Sequence, residues 1–228
     1  MRRAAWLLAG MAPGLWGAYT WGSHLPTVGS VWRGRRDRRA VTLTFDDGPD
    51  PESTPRVLDI LEREGVRGAF FLIGRRAEKA PGLARRIAEA GHDLGNHTWS
   101  HRSFWSCGPA QTVREIGDGH AAIAQAAGAP PRFFRPPWGK TNLAMFSTLR
   151  GLGTPCVFWT AQPESRRPVE PAEQGRRALD GARPGAIYDL HDADGVPGAG
   201  RRLVEYLPGL IGALRAEGYA LVPLRDLL

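Results

Sequence analysis

Two histidines four positions apart, His97 and His101, and two adjacent aspartates, Asp46 and Asp47, are the residues of this chain best suited to chemistry. Imidazoles at that spacing fall on one side of a helical turn and can grip one metal ion. Two surface histidines near a turn are the alternative. Asp46 and Asp47 follow an apolar run and precede Gly48-Pro49, which holds both carboxylates near one rim. Their mutual repulsion there is costly without a cation or an arginine nearby, although such a pair can also cap a helix. One acid can complete a His2Asp set that leaves positions open for water and substrate, as catalytic zinc sites require, while the other stays available as a base. His191 can then serve as a general acid.

The positions of these residues depend on the elements that carry them. Short β-prone runs are predicted at 40–45, 66–72, 92–95, 132–135, 155–159, 186–190 and 219–222. Between them lie segments of helical period at 55–64, 81–90, 109–127, 143–150, 171–180 and 200–217, several opened by proline and closed by glycine. Seven strands alternating with helices imply right-handed crossovers and a parallel sheet, either closed as a barrel or open and doubly wound. In both, the C-terminal ends of all strands share one face. Asp46-Asp47, His97-Thr98-Trp99-Ser100-His101, Arg135-Pro136-Pro137-Trp138-Gly139 and Leu190-His191-Asp192 each follow or end such a run, so they should meet around a single cleft.

Composition narrows the class. With 228 residues, 42% hydrophobic and 23% charged, the chain has the profile of one ordinary globular domain, not of a disordered chain, a coiled coil or a disulfide scaffold. The net charge of +7 is local: residues 1–39 hold seven Arg and one Asp, and without them 23 basic residues face 22 acidic ones. A nearly neutral domain argues against nucleic acid as a partner. Residues 4–22 carry no charge and follow Arg2-Arg3; as a helix they would run about 28 Å at ~1.5 Å per residue, close to one hydrocarbon core. We therefore expect 1–39 to be an uncleaved signal anchor and basic linker, with the 40–228 domain membrane-attached and extracytoplasmic, or secreted if cleaved. Arg33, Arg35, Arg36, Arg38 and Arg39 oppose the orientation that Arg2-Arg3 favour. Cys107 and Cys156 form no CxxC pair; a single disulfide between them is left open.

Thr44-Phe45-Asp46-Asp47-Gly48-Pro49, Gly95-Asn96-His97-x-x-x-His101, Arg135-Pro136-Pro137-x-Gly139 and His191 together resemble the NodB-homology polysaccharide deacetylases, carbohydrate esterase family four, over roughly residues 40–225. The resemblance implies a distorted (β/α)7 barrel, with Asp46 as general base and His191 as general acid. It further implies Asp47, His97 and His101 as metal ligands, and Arg135 as the groove arginine that orients the carboxylates. The implied reaction is metal-assisted removal of N-acetyl, or O-acetyl, groups from a peptidoglycan-like or chitin-like polysaccharide. Zinc is the default for such a ligand set, with cobalt, nickel or manganese also able to occupy it.

Two departures stand out. Where the family has leucine two residues before the final histidine, lining the pocket for the acetyl methyl, this chain has Asp189, which should face the same cleft as His191. After the fifth strand, the family's Asp-x-x-Asp-Trp-like segment is replaced by Trp159-Thr160-Ala161-Gln162-Pro163-Glu164. Our expectation is that Asp189 takes over as the missing acid beside His191; the alternative is a strand-end aspartate paired with an arginine. Gln162 is a candidate polar contact, and Glu164 is as well explained by solvation as by function. Trp99, Phe104, Trp105 and Trp138 are read either as a sugar-stacking rim or as lids on the core, His92 and His120 as structural, and His24 as part of the anchor region. Competing functions are a non-catalytic carbohydrate- or envelope-binding module and a hydrolase of a different amide. The unused base and acid favour an enzyme.

Overall fold

The computed structural model describes residues 13–20, 29–164, 169–195 and 197–228. Its frame is a curled parallel sheet of strands β1 (Ser30–Val31), β2 (Ala40–Asp46), β3 (Ala69–Leu72), β4 (Asp93–Asn96), β5 (Phe133–Phe134), β6 (Cys156–Val157), β7 (Ala186–His191) and β8 (Ala220–Leu221). They run in the order β1-β6-β5-β4-β3-β2-β7, with β8 beside the start of β2. The chain leaving β6 closes the gap to β7: the Thr160 and Ala161 amides donate to the Ile187 carbonyl, and the Asp189 amide donates to Ala161. The result is the distorted (β/α)7 barrel expected from the motifs. All seven anticipated strands are present, and β1 is an addition.

The helices are α1 (Pro13–Thr20), α2 (Thr54–Arg63), α3 (Gly74–Lys79), α4 (Pro81–Glu89), α5 (Pro109–Ala127), α6 (Leu143–Leu152), α7 (Pro171–Asp180), α8 (Ala199–Ala216) and α9 (Leu224–Leu227). Pro55, Pro81, Pro109 and Pro171 sit in the first turns of α2, α4, α5 and α7, where a missing N–H sacrifices no intrahelical bond. The short helices α3 and α9 lie in segments the periodicity left unassigned.

Side-chain alternation along the strands separates two cores. Val41, Leu43 and Phe45 of β2 and Tyr188 and Leu190 of β7 pack outward with Leu203, Leu207, Ile211 and Leu214 of α8. Ala69, Phe71, Phe133, Val157 and Ile187 form a second cluster, joined by Leu224 and Leu227 of α9. Fully burying one such Leu or Phe contributes about 1.5–3 kcal/mol, and a one-residue slip of β2 would send Thr42, Thr44 and Asp46 among the helices instead. Register is therefore strongly specified on the strand that carries Asp46.

The segment expected to be a linker is different where it is described. Val31 accepts from the Phe158 amide, Gly34 donates to Gly185 and Arg35 donates to Leu227, so these residues are built into the barrel. Trp32 stacks on Phe158 at 4.0 Å. Much of the expected anchor over 4–22, and His24, lie outside the described residues. The eight-residue α1 inside that span rests on the domain, where Trp16 Nε1 donates to the Trp105 carbonyl at 3.1 Å. Among the described residues no helix is long and apolar enough to cross a membrane. Cys107 and Cys156 are free thiols buried in one apolar cluster with Phe104 and Phe134. Burial pushes them up to about 11 and about 12.

Candidate active site

Asp46 ends β2, His191 ends β7 as its register partner, and Asp189 lies opposite Thr44 one step deeper. Asn96 ends β4 and delivers His97, while β5 delivers Arg135, whose amide donates to the Asn96 carbonyl. The clusters thus converge at one end of the barrel, around a cavity of about 420 Å3. A larger depression of about 740 Å3, bordered by Leu58, His92 and Arg225, contains none of these residues.

Asp47, His97 and His101 offer three ligand atoms within 4.8 Å of one another. Asp47 Oδ1 stands 3.6 Å from His97 Nε2 and 3.1 Å from His101 Nε2. The two histidines do not share a helical turn, contrary to the reading of their spacing. They lie on a loop in which Thr98 and His101 have φ of 67° and 60°, and Asp47 has φ of 73°. Non-glycine residues adopt such angles only where the surroundings hold them. Here Asn96 Oδ1 accepts from the Thr98 amide, Thr98 Oγ1 accepts from the His101 amide, and Glu115 of α5 accepts from both the amide and the hydroxyl of Ser100.

The donor set suits a divalent cation. His97 Nδ1 pairs with the Arg135 carbonyl at 2.7 Å, which requires a proton on Nδ1 and leaves the Nε2 lone pair facing Asp47. Burial lowers the His97 pKa to about 3, with His101 adding to the effect, and burial also lowers that of His101. Both imidazoles are accordingly neutral, as ligands must be. Asp47 Oδ1 is buried and accepts no hydrogen bond, an expensive condition that a cation would relieve.

Arg135, fully buried, organises the other side. Its Nη1 donates to Asp46 Oδ1 and to Thr44 Oγ1, each at 2.7 Å; Nε donates to the Val157 carbonyl and Nη2 to that of Phe158. The guanidinium lies 4.1 Å above the Phe71 ring. A planar fork with this many fixed acceptors orients Asp46, leaving Oδ2 toward the cavity at 3.7 Å from His97 Nε2. The capping alternative for the aspartate pair falls to Asp50, whose Oδ1 accepts from Glu52 and Ser53 at the start of α2.

His191 is held by Glu164, not by Asp189. Its Nδ1 lies 2.5 Å from Glu164 Oε2, its amide donates to Oε1, and Tyr206 of α8 donates to the same Oε1 at 3.4 Å. Burial opposes protonation of His191, but the Glu164 hydrogen bond and the charges of Asp189, Glu164 and Asp47 outweigh it and hold the pKa well above the ordinary imidazole value. The group can therefore donate a proton at neutral pH. Asp189 instead accepts from Gln162 Nε2 at 2.9 Å and stands 3.5 Å from Arg135 Nη1. It is the arginine-paired aspartate of the alternative reading, and burial followed by the charge of Asp46 raises its pKa.

Sequence reasoning undervalued Glu164, missed Tyr206 and named Asp192 only as a member of the His191 cluster. Glu164 lies 27 positions before His191, and only the crossing from β6 to β7 brings them together. Asp192 is buried behind Gly48, accepts from Thr54 Oγ1 and is pushed up to about 7 by burial. Of the aromatic residues, Phe104 is core, whereas Trp138 is 57% exposed with its ring 4.4 Å from that of His101. His92 is structural, buried and accepting the Gly68 amide.

A family model for polysaccharide deacetylase matches residues 33–157. A peptidoglycan-N-acetylglucosamine deacetylase of Bacillus cereus is 32% identical over 206 residues, covering 89% of this chain and 94% of its own. A chitooligosaccharide deacetylase of Bradyrhizobium sp. is 36% identical over 199 residues, 83% and 90% of the two chains. Among solved structures, the Bc1960 peptidoglycan N-acetylglucosamine deacetylase in complex with an N-hydroxybenzamide superposes with a TM-score of 0.82 at 30% identity, over 88% of this chain and 92% of that one. The motifs, the barrel and these likenesses agree: the chain belongs to the polysaccharide deacetylase family, the NodB-homology group of carbohydrate esterase family four.

Proposed function

We propose that this protein is a metal-dependent hydrolase that removes N-acetyl, or O-acetyl, groups from an amino-sugar polysaccharide of the peptidoglycan or chitin type. The observation that carries the proposal is that a buried, arginine-oriented carboxylate, Asp46, and a Glu164-held imidazole, His191, line the same cavity as the Asp47, His97 and His101 donors. A module that only bound sugars would need neither proton donor nor proton acceptor there. The names of the relatives support the amino-sugar substrate.

Asp47, His97 and His101 would hold the divalent ion, zinc by preference for two imidazoles and a carboxylate. When bound, it supplies Lewis-acid polarisation of the acyl carbonyl and eases ionisation of water. Asp46 Oδ2 accepts the proton of the attacking water, and Arg135 keeps that carboxylate in place through Oδ1. His191 Nε2 then gives its proton to the departing amine, with Glu164 stabilising the imidazolium through Nδ1. Trp138, exposed at the rim, offers a flat apolar face to a pyranose ring. The uncharged 4–22 stretch behind Arg2-Arg3 supports attachment to a membrane, with the barrel from Ser30 onward as the catalytic domain acting in the cell envelope.

The test is acid release from chitin oligomers and peptidoglycan by the protein with zinc or cobalt added, beside Asp46→Asn. We expect metal-dependent release that falls at least about 100-fold in the variant, the lower bound for loss of a positioned base. No release from a folded, metal-loaded protein would favour the binding module instead.

A further inference from the structure

The acyl group of the substrate has a side the machinery above does not use. An amide carbonyl facing Asp47, His97 and His101, attacked from the Asp46 side and losing its amine toward His191, must direct its remaining substituent elsewhere. The cavity continues to Asp189, two residues before His191 on the same strand face and therefore about 6.6 Å deeper. That floor is polar. Asp189 is 2% exposed; Gln162 occupies Oδ2, whereas Oδ1 is buried without a hydrogen-bond partner, its nearest cation being Arg135 Nη1 at 3.5 Å. The same Nη1 already donates at 2.7 Å to both Thr44 Oγ1 and Asp46 Oδ1, so it has no proton left for Asp189.

A methyl group entering this floor would keep water from Oδ1 and offer it nothing. A hydroxyl on the carbon next to the carbonyl would donate to it. Sites with a buried polar group waiting for a substrate hydroxyl discriminate strongly against the analogue that lacks one. We propose that Asp189 makes this site selective for amides whose acyl group carries a hydroxyl next to the carbonyl, glycolyl being the smallest, over acetyl. The inference rests on the deacylase reading above and names its acyl class.

The experiment compares zinc-loaded full chain on chitotriose bearing N-glycolyl or N-acetyl groups, following the appearance of free amine. We expect kcat/KM for the glycolyl substrate to exceed that for the acetyl substrate at least about fivefold, the lower bound for the cost of leaving one buried polar atom unpaired. In Asp189→Leu the ratio should invert. Asp189→Asn, isosteric and still offering an oxygen, should retain a reduced glycolyl preference, and it carries the test if the leucine variant does not fold. Equal rates or an acetyl preference in the wild type, or a ratio unchanged in the folded variants, would overturn the inference while leaving the deacylase reading intact. No amine from either substrate would remove that reading and the inference with it.

Discussion

In the proposed mechanism the proton donor, His191, is set by one hydrogen bond. Glu164, its side chain 4% exposed, holds His191 and raises the imidazole pKa, so Glu164→Gln should lower that pKa. The proposed mechanism needs His191 protonated, and the alkaline limb of the pH–rate profile should therefore move to lower pH, with kcat down about 10- to 100-fold. A profile that keeps its alkaline limb in place would show that Glu164 does not tune the acid. Asp189→Asn should shift the limb less, because Asp189 acts on His191 through space alone. At this scale the sequence was legible for Asp46, Asp47, His97, His101, Arg135 and His191, whose types and neighbours form local motifs. It was not legible for Glu164, because no local pattern records which of two acidic residues, 189 or 164, reaches an imidazole on β7.

The elements that position the metal donors depend on close approach. Gly119 of α5 faces the His97–His101 loop, and a Cβ there would lie 2.6 Å from Asn96 Oδ1 and 2.8 Å from the Thr98 carbonyl carbon. Backbone cannot retreat as a flexible side chain can. Gly119→Ala should cost about 1–3 kcal/mol of stability, the usual range for overpacking, and should weaken metal binding because the displaced loop carries both imidazoles. Denaturant unfolding and a zinc titration would check the two effects; unchanged affinity would mean that the loop adapts. Hydrophobic period and proline placement located α2, α4, α5, α6, α7 and α8, but the i, i+4 histidines suggested a helical turn where the chain adopts left-handed angles at Thr98 and His101. Those angles are imposed by Asn96 and Glu115 side chains, contacts that spacing does not encode.

At the scale of the whole molecule, a cation held by Asp47, His97 and His101 would tie β2 to the loop after β4 and bind only the folded chain. At about one hundred times its dissociation constant such a ligand stabilises by ~2.7 kcal/mol. For a domain of this size that corresponds to a rise of roughly 5–10 °C in Tm, at about 2–4 °C per kcal/mol. Zinc should produce this shift, a chelator should reverse it, and Asp47→Ala should abolish it; a Tm indifferent to zinc would count against the ligand set. The sequence by itself determined the alternation of strands and helices and the face on which the motifs gather, since side-chain periodicity and parallel topology leave little choice, and the motifs that resemble the deacetylase family singled out the six residues at the centre. The tertiary structure alone decided that the barrel closes through the 160–161 bridge to β7, that residues from Ser30 onward belong to it, and that Glu164 partners His191 while Asp189 lines the floor. These are contacts between segments far apart in the chain, fixed by how the curled sheet closes and not by the local chemistry of any one stretch.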